Sequence, residues 1–97
     1  MGIFDDIKQF QSWKRSKDFL LKAKSFVLFN LLDEIQMQTI KDFDEFIKHN
    51  ELGLAFEQLI FLSETINLPI EFWKEMFLAA KEMKLEDEAK KCKLYLK

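Results

Sequence analysis

The sequence predicts an all-α fold, a compact bundle of about five short helices in a single domain, on three observations. Apolar residues recur at spacings of three and four along almost the whole chain, as they do on one face of an α-helix. Two glycines and one proline in 97 residues are too few for the turns of an all-β fold. The apolar fraction of 48% is enough for one modest core, and the length allows one domain.

The periodicity divides the chain into successive helical segments. A short amphipathic segment over residues 2–12 places Ile3, Ile7 and Phe10 in line. Ser16 is a suitable N-cap for a longer helix that continues to Leu32, apolar on two sides and therefore central. The remaining helices are predicted over residues 34–48, 51–66, 70–84 and 86–96.

Short connections separate these helices. Asn50 is predicted to cap the helix over residues 51–66. Pro69 precedes the next helix, where its missing N–H has no partner to lose. No linker or internal repeat is evident, so residues 1–97 are predicted to form one domain, in which a short N-terminal helical extension (1–15) and a C-terminal helix (87–97) flank residues 16–86.

Charge is unevenly distributed along the chain. Residues 30–75 carry three basic and ten acidic side chains, whereas residues 1–29 and 76–97 are net positive by three and two. An acidic centre disfavours nucleic acid, whose binding depends on neutralising phosphates. It suits a basic protein partner, although a solvated charged face is an equally ordinary interpretation.

Residues that carry catalysis or bind cofactors are scarce. His49 is the only histidine and has no second ligand at metal-binding spacing, and Cys92 is the only cysteine. There is no glycine-rich phosphate loop and no apolar run of the ~20 residues that a membrane span needs. The sequence therefore predicts a cytoplasmic protein that is not an enzyme, holds no cofactor and does not bind membranes.

One candidate binding surface lies on the helix over residues 51–66. Leu54 and Phe61 are two turns apart on the side opposite the main apolar stripe of this helix, with Glu57 between them. That stripe is predicted to be Leu52, Ala55, Phe56, Leu59, Ser63 and Ile66. The favoured interpretation is that this helix is sandwiched between two others, and the alternative is an exposed docking face. Glu57 is then either a semi-buried structural acid or an anchor of the interface.

A second candidate is a ridge on the following helix. Its members share the spacing i, i+4, i+7 and i+11, and they are Glu71, Glu75, Leu78 and Glu82. An exposed leucine among aligned acids is typical of an interface with a basic partner, and the ordinary alternative is a solvated face.

The lysines near the C-terminus suggest RNA binding as an alternative function. They are Lys90, Lys91, Lys93 and Lys97. Only Tyr95 lies between them as a stacking residue, and acids at residues 86–88 offset their charge, so a solvated helix is favoured.

A family resemblance covers about residues 16–86, the core of the domain. It is carried by residues 43–59 and their continuation to about residue 86, and the start Ser16-Lys17-Asp18-Phe19-Leu20 also fits. Its most specific part is Asn50-Glu51-x-Gly53-Leu54-Ala55-x-Glu57, followed by Asn67-Leu68-Pro69-Ile70 and Ala79-Ala80-Lys81-Glu82-Met83. This pattern resembles MafI-type immunity proteins and the CdiI immunity proteins encoded beside contact-dependent growth inhibition toxins. Asn50 replaces the glycine usual in the family, a change that is compatible with either a left-handed conformation or a capping role.

The resemblance implies a role rather than a site, because such families share no catalytic residues. It implies a protein that binds the C-terminal domain of a cognate toxin, by analogy a nuclease, and neutralises it. The partner-binding residues we select on the surfaces described above are Glu57, Phe61, Glu71, Glu75, Leu78 and Glu82. The alternative function is a small helical adaptor or regulator, antitoxin-like or RNA-binding.

Overall fold

Five α-helices follow one another in a computed structural model that describes the backbone of residues 3–96 and the side chains of residues 8–96. The helices are α1 (Ile3–Lys24), α2 (Glu34–Lys48), α3 (Leu52–Ser63), α4 (Ile70–Glu82) and α5 (Glu86–Lys93). Short 3-10 turns occupy Phe29–Leu31 and Leu94–Leu96. No strand occurs within residues 3–96, so the predicted all-α fold is confirmed.

The first helix differs from its prediction at both ends. It is continuous through Ser16, which is buried in mid-helix and does not act as an N-cap, because no glycine or proline interrupts residues 3–24. It ends at Lys24, where the Ser25 hydroxyl donates to the Lys22 carbonyl and competes with the helical pattern. The predicted helix to Leu32 is therefore wrong, and the proposed boundary at residue 15 falls inside α1.

The chain after α1 exposes leucines that the periodicity assigned to helix faces. Leu28 and Leu31 are largely exposed, while Ala23 and Val27 of the same predicted helix are buried. Together with the α3–α4 connection they border an uncharged hollow, lined by Phe26, Leu28, Leu31, Leu32, Ile66, Asn67, Leu68 and Pro69.

The bounds predicted for α2 are confirmed, and its start has a clear local cause. The Asp33 carboxylate accepts the backbone N–H of Gln36 at 2.8 Å, and the Gln36 side chain accepts the backbone N–H of Asp33 at 3.0 Å. This capping box satisfies N–H groups that have no partner within the helix.

Helix α3 ends three residues before its prediction, where Ser63 and Thr65 donate their hydroxyls to helix carbonyls.

Helices α2 and α3 form one helical hairpin, and α4 and α5 form a second with the same turn. Asn50 and Lys84 both adopt the left-handed conformation, with φ of 57° and 61°. After each of them an N–H closes a Schellman-type bond, from Glu51 to the Phe46 carbonyl and from Leu85 to the Ala80 carbonyl. Asn50 thus ends α2 and does not cap α3, and the sequence pattern missed this repeated turn.

The core lies where the hairpins meet α1. Helix α4 packs mainly against α1 and α5, and α2 packs against α3, which also contacts α1. Among the described side chains three phenylalanines are fully buried, Phe43, Phe56 and Phe72, and each contributes about 1.5–3 kcal/mol by leaving water. This packing fixes one side of α3 and leaves the other side uncovered.

Candidate docking groove

The uncovered side of α3 forms a groove of about 610 Å³ against the start of α5. It is lined by Glu51, Gly53, Leu54, Phe56, Glu57, Ile60, Phe61, Glu64, Leu85 and Glu88. We call this surface the acidic groove. Its floor is apolar, and its acidic side chains come from α3, from the two ends of α3 and from α5.

Two exposed apolar side chains distinguish this face of α3. Leu54 is 44% exposed and Phe61 is 51% exposed, whereas Ala55 and Leu59 on the opposite face are buried. The favoured interpretation of α3 as a sandwiched helix is therefore wrong, because among the described residues beyond α3 and its two ends only Leu85 and Glu88 line this side. The alternative, an exposed apolar face, is what the structure has.

The carboxylates of the groove have few partners. Glu51, Glu57 and Glu64 form no ion pair or side-chain hydrogen bond with any residue in the described part of the chain. Glu88 lies 3.8 Å from Lys91. No lysine or arginine is among the lining residues, so the groove carries a net negative charge, and three of its four acids lack a cationic partner among the described residues. Glu57 is exposed, and thus is not a semi-buried structural acid.

The predicted ridge on α4 does not form one surface. The Glu82 carboxylate accepts from Arg15 Nε at 3.0 Å and lies 2.8 Å from Arg15 Nη2. Glu75, whose side chain is 13% exposed, lies 3.5 Å from Lys22 Nζ. These two acids face α1 because α4 packs along it, while Glu71 and Leu78 remain exposed.

The pairing of Glu82 also changes its titration. The hydrogen bond from Arg15 holds the pKa of the Glu82 carboxyl below its usual value, against an opposing effect of burial.

Of the six predicted binding residues, the structure brings only Glu57 and Phe61 together in the acidic groove. Glu71 and Leu78 lie exposed on α4, and Glu75 and Glu82 are engaged within the molecule.

Sequence reasoning missed several groove residues. Glu51 and Glu64 flank α3 at its two ends. Glu64 follows Glu57 by seven residues, the same spacing that separates Phe61 from Leu54. That spacing was a signal for Glu64. Leu85 and Glu88 reach the groove from the second hairpin, and nothing in the local pattern places them there.

The residues considered for catalysis or RNA binding lie in ordinary surroundings. His49 is exposed, with Nε2 3.5 Å from Glu45. Cys92 is buried, and burial raises the pKa of its thiol to about 11. The ring of Tyr95 stacks on Trp73 at 3.8 Å between centroids, so one of its faces is already covered. Within the described residues no cluster of three or more His, Cys, Asp or Glu side chains is arranged to hold a metal ion.

Fold and groove together define a small all-α protein with an apolar groove that is rimmed by acidic side chains. None of the helices that the structure describes combines the length and apolar character that crossing a membrane requires. Comparisons of the chain with known protein families, with characterised proteins and with solved structures find no match.

Proposed function

We propose that this chain is an immunity protein, which binds the toxic C-terminal domain of a contact-dependent inhibition system, or of a similar toxin system, and neutralises it in the cytoplasm. The observation that carries the proposal is the acidic groove. It combines exposed apolar side chains with three carboxylates that have no partner among the described residues, an arrangement that suits an interface with an apolar centre and a polar rim.

The electrostatics of the groove favour a nuclease as the toxin. A nuclease binds its substrate through basic side chains that neutralise phosphates, so its substrate surface is positively charged. The groove presents Glu51, Glu57, Glu64 and Glu88 with no basic residue among them. Opposite charges raise the association rate, while buried apolar anchors such as Phe61 supply most of the affinity.

The residues that carry the family resemblance support the same surface. Within the Asn50–Glu57 motif, Glu51, Gly53, Leu54 and Glu57 line the acidic groove. Ala55 is buried in the core and Asn50 forms the turn that ends α2. The motif thus includes both positions that build the hairpin and positions that remain available to a partner.

Co-expression with the toxin tests the proposal. The toxin domain is taken from the effector encoded by the reading frame next to this chain, and growth is measured with and without the protein. We expect the wild type to restore growth and to co-purify with the toxin domain. A Glu57→Lys/Glu64→Lys variant should lose protection, whereas Asp18→Lys/Asp42→Lys, the same charge change at exposed residues outside the groove, should keep it. Continued toxicity in the presence of folded wild-type protein would refute the proposal.

A further inference from the structure

The acidic groove continues into a second hollow beside α1. This hollow, which we call the Trp13 cleft, has a volume of about 530 Å³. It is lined by Ser12, Trp13, Ser16, Asn50, Glu51, Leu52, Gly53, Glu82, Met83, Lys84 and Leu85. Glu51, Gly53 and Leu85 line both hollows, so Gly53 lies on the boundary between them.

Gly53 has no structural reason to be a glycine in the folded chain. It lies in the first turn of α3 and its φ is not positive, so its backbone conformation suits any residue. A Cβ atom built on it would meet nothing within 4 Å. Glycine within a helix is less favourable than alanine because it loses more conformational freedom on folding. The missing side chain therefore leaves open space directly above the backbone at the boundary of the two hollows.

The Trp13 cleft contains a second unexplained group. Ser16 is 1% exposed, and its Oγ atom has no hydrogen-bond partner among the residues that the structure describes. A buried hydroxyl without a partner is unfavourable, and most such groups in native proteins are satisfied. Trp13, which is 51% exposed, lines the same cleft and offers a broad apolar surface.

We infer that a basic segment of the toxin domain crosses α3 with its backbone close to Gly53. One part of this segment places an apolar anchor and basic side chains in the acidic groove. The other part enters the Trp13 cleft, packs on Trp13 and supplies a hydrogen-bonding group to Ser16. Charge complementarity with the groove selects the chemistry of the partner, and the continuity of the two hollows sets its path. The inference rests on the proposed function.

Substitution of Gly53 tests the path, because stability and binding should change in opposite directions. Gly53→Ala and Gly53→Gln are expected to raise the urea midpoint of unfolding, since both residues favour a helix more than glycine does. Both should weaken binding of the toxin domain from the adjacent reading frame, by about tenfold for Ala and more for Gln, because an added group disturbs a closely packed contact. Lys41→Gln, at an exposed position on α2 outside both hollows, is the matched control.

Ser16→Ala provides a second measurement. It removes a hydroxyl that has no partner within the described chain, so the urea midpoint should not fall. Toxin affinity should fall about threefold to tenfold, the effect of one lost hydrogen bond.

The outcomes separate this inference from the proposed function. If Gly53→Gln binds the toxin domain as tightly as the wild type while Phe61→Ala binds weakly, the path over Gly53 is wrong and the groove remains the interface. If the wild type itself does not bind, the proposed function fails and the inference fails with it.

Discussion

The carboxylates of the acidic groove have no cationic partner in the described part of α1. Two carboxylates of α4, by contrast, form ion pairs with basic side chains of α1. Glu57 and Glu64 are exposed and unpaired among residues 8–96. Glu75 and Glu82 lie against α1, within 3.5 Å and 2.8 Å of Lys22 and Arg15. The same residue type thus serves two roles, and the neighbouring helix decides which one.

This difference shows why an acidic helix face is weak evidence for a binding site. Partly exposed ion pairs such as Arg15–Glu82 add only about 0.2–1 kcal/mol to stability, but they remove the acid from the surface available to a partner. Only carboxylates without an internal partner are free to attract a basic protein. The following predictions test that distinction, beginning with the largest expected effect.

Truncating the apolar floor of the acidic groove should have the largest effect. Leu54→Ala/Phe61→Ala removes two exposed anchors, so we expect toxin affinity to fall by about 2 kcal/mol or more, roughly thirtyfold. Leu28→Ala/Leu31→Ala makes a similar change in the uncharged hollow and should leave affinity unchanged. Calorimetric titration measures both variants. If both double variants lost the same toxin affinity, the acidic groove would be no more important for binding than the uncharged hollow.

Neutralising the unpaired acids should mainly slow association. Glu57→Gln/Glu64→Gln lowers the negative potential of the acidic groove without changing its shape, so we expect an association rate about tenfold lower at low salt. Added salt should slow the wild type more than the variant, because it screens charges that the variant lacks. Stopped-flow measurements over a salt series check this. A variant with the salt dependence of the wild type would contradict the role given to these two acids.

Charge reversal of one acid on α4 and of one acid on α3 should affect stability very differently. Glu75→Lys places a second cation beside Lys22 in a largely buried position, and we expect the free energy of unfolding to fall by about 1–2 kcal/mol. Glu57→Lys, on the exposed face of α3, should change it by less than about 0.5 kcal/mol. Urea unfolding measures both. The assignment of Glu75 to the α1–α4 contact would be wrong if Glu57→Lys proved the more damaging change.

The pH dependence of the Arg15–Glu82 pair should give the smallest effect. Because the folded-state pKa of Glu82 lies below its ordinary value of 4.5, the pair stabilises the fold above that pH, and this contribution is lost as the pH falls through the folded-state pKa. Glu82→Gln should therefore be less stable than the wild type by a few tenths of a kcal/mol at about pH 7. The two should converge as the pH falls below the folded-state pKa of Glu82, as urea midpoints at several pH values will show.

Local sequence signals predicted most of the helices correctly. The bounds of α2 and the start of α4 follow from apolar periodicity and from residues beside the helix ends, which need only near neighbours to act. The predicted buried face of α3 is confirmed for the same reason. The end of α1 was missed because it depends on a side-chain hydrogen bond of Ser25 that competes with an otherwise helical pattern.

The candidate site was predicted only in part. Leu54, Glu57 and Phe61 share one face of one helix, and spacing alone places them together. Leu85 and Glu88 complete the acidic groove from a different hairpin, so their position depends on how α5 packs on α4. Glu75 and Glu82 were assigned to a binding surface because the spacing of a helix does not reveal which of its polar faces meets another helix.

The all-α class, the buried stripe of α3 and the net negative charge of residues 30–75 follow from the sequence alone, because they depend on residue type and on neighbours within a few turns. Tertiary structure alone decided that α1 packs along α4, that one side of α3 stays uncovered and which carboxylates keep no partner. Those outcomes depend on contacts between residues far apart in the chain, and periodicity within one helix carries no information about them.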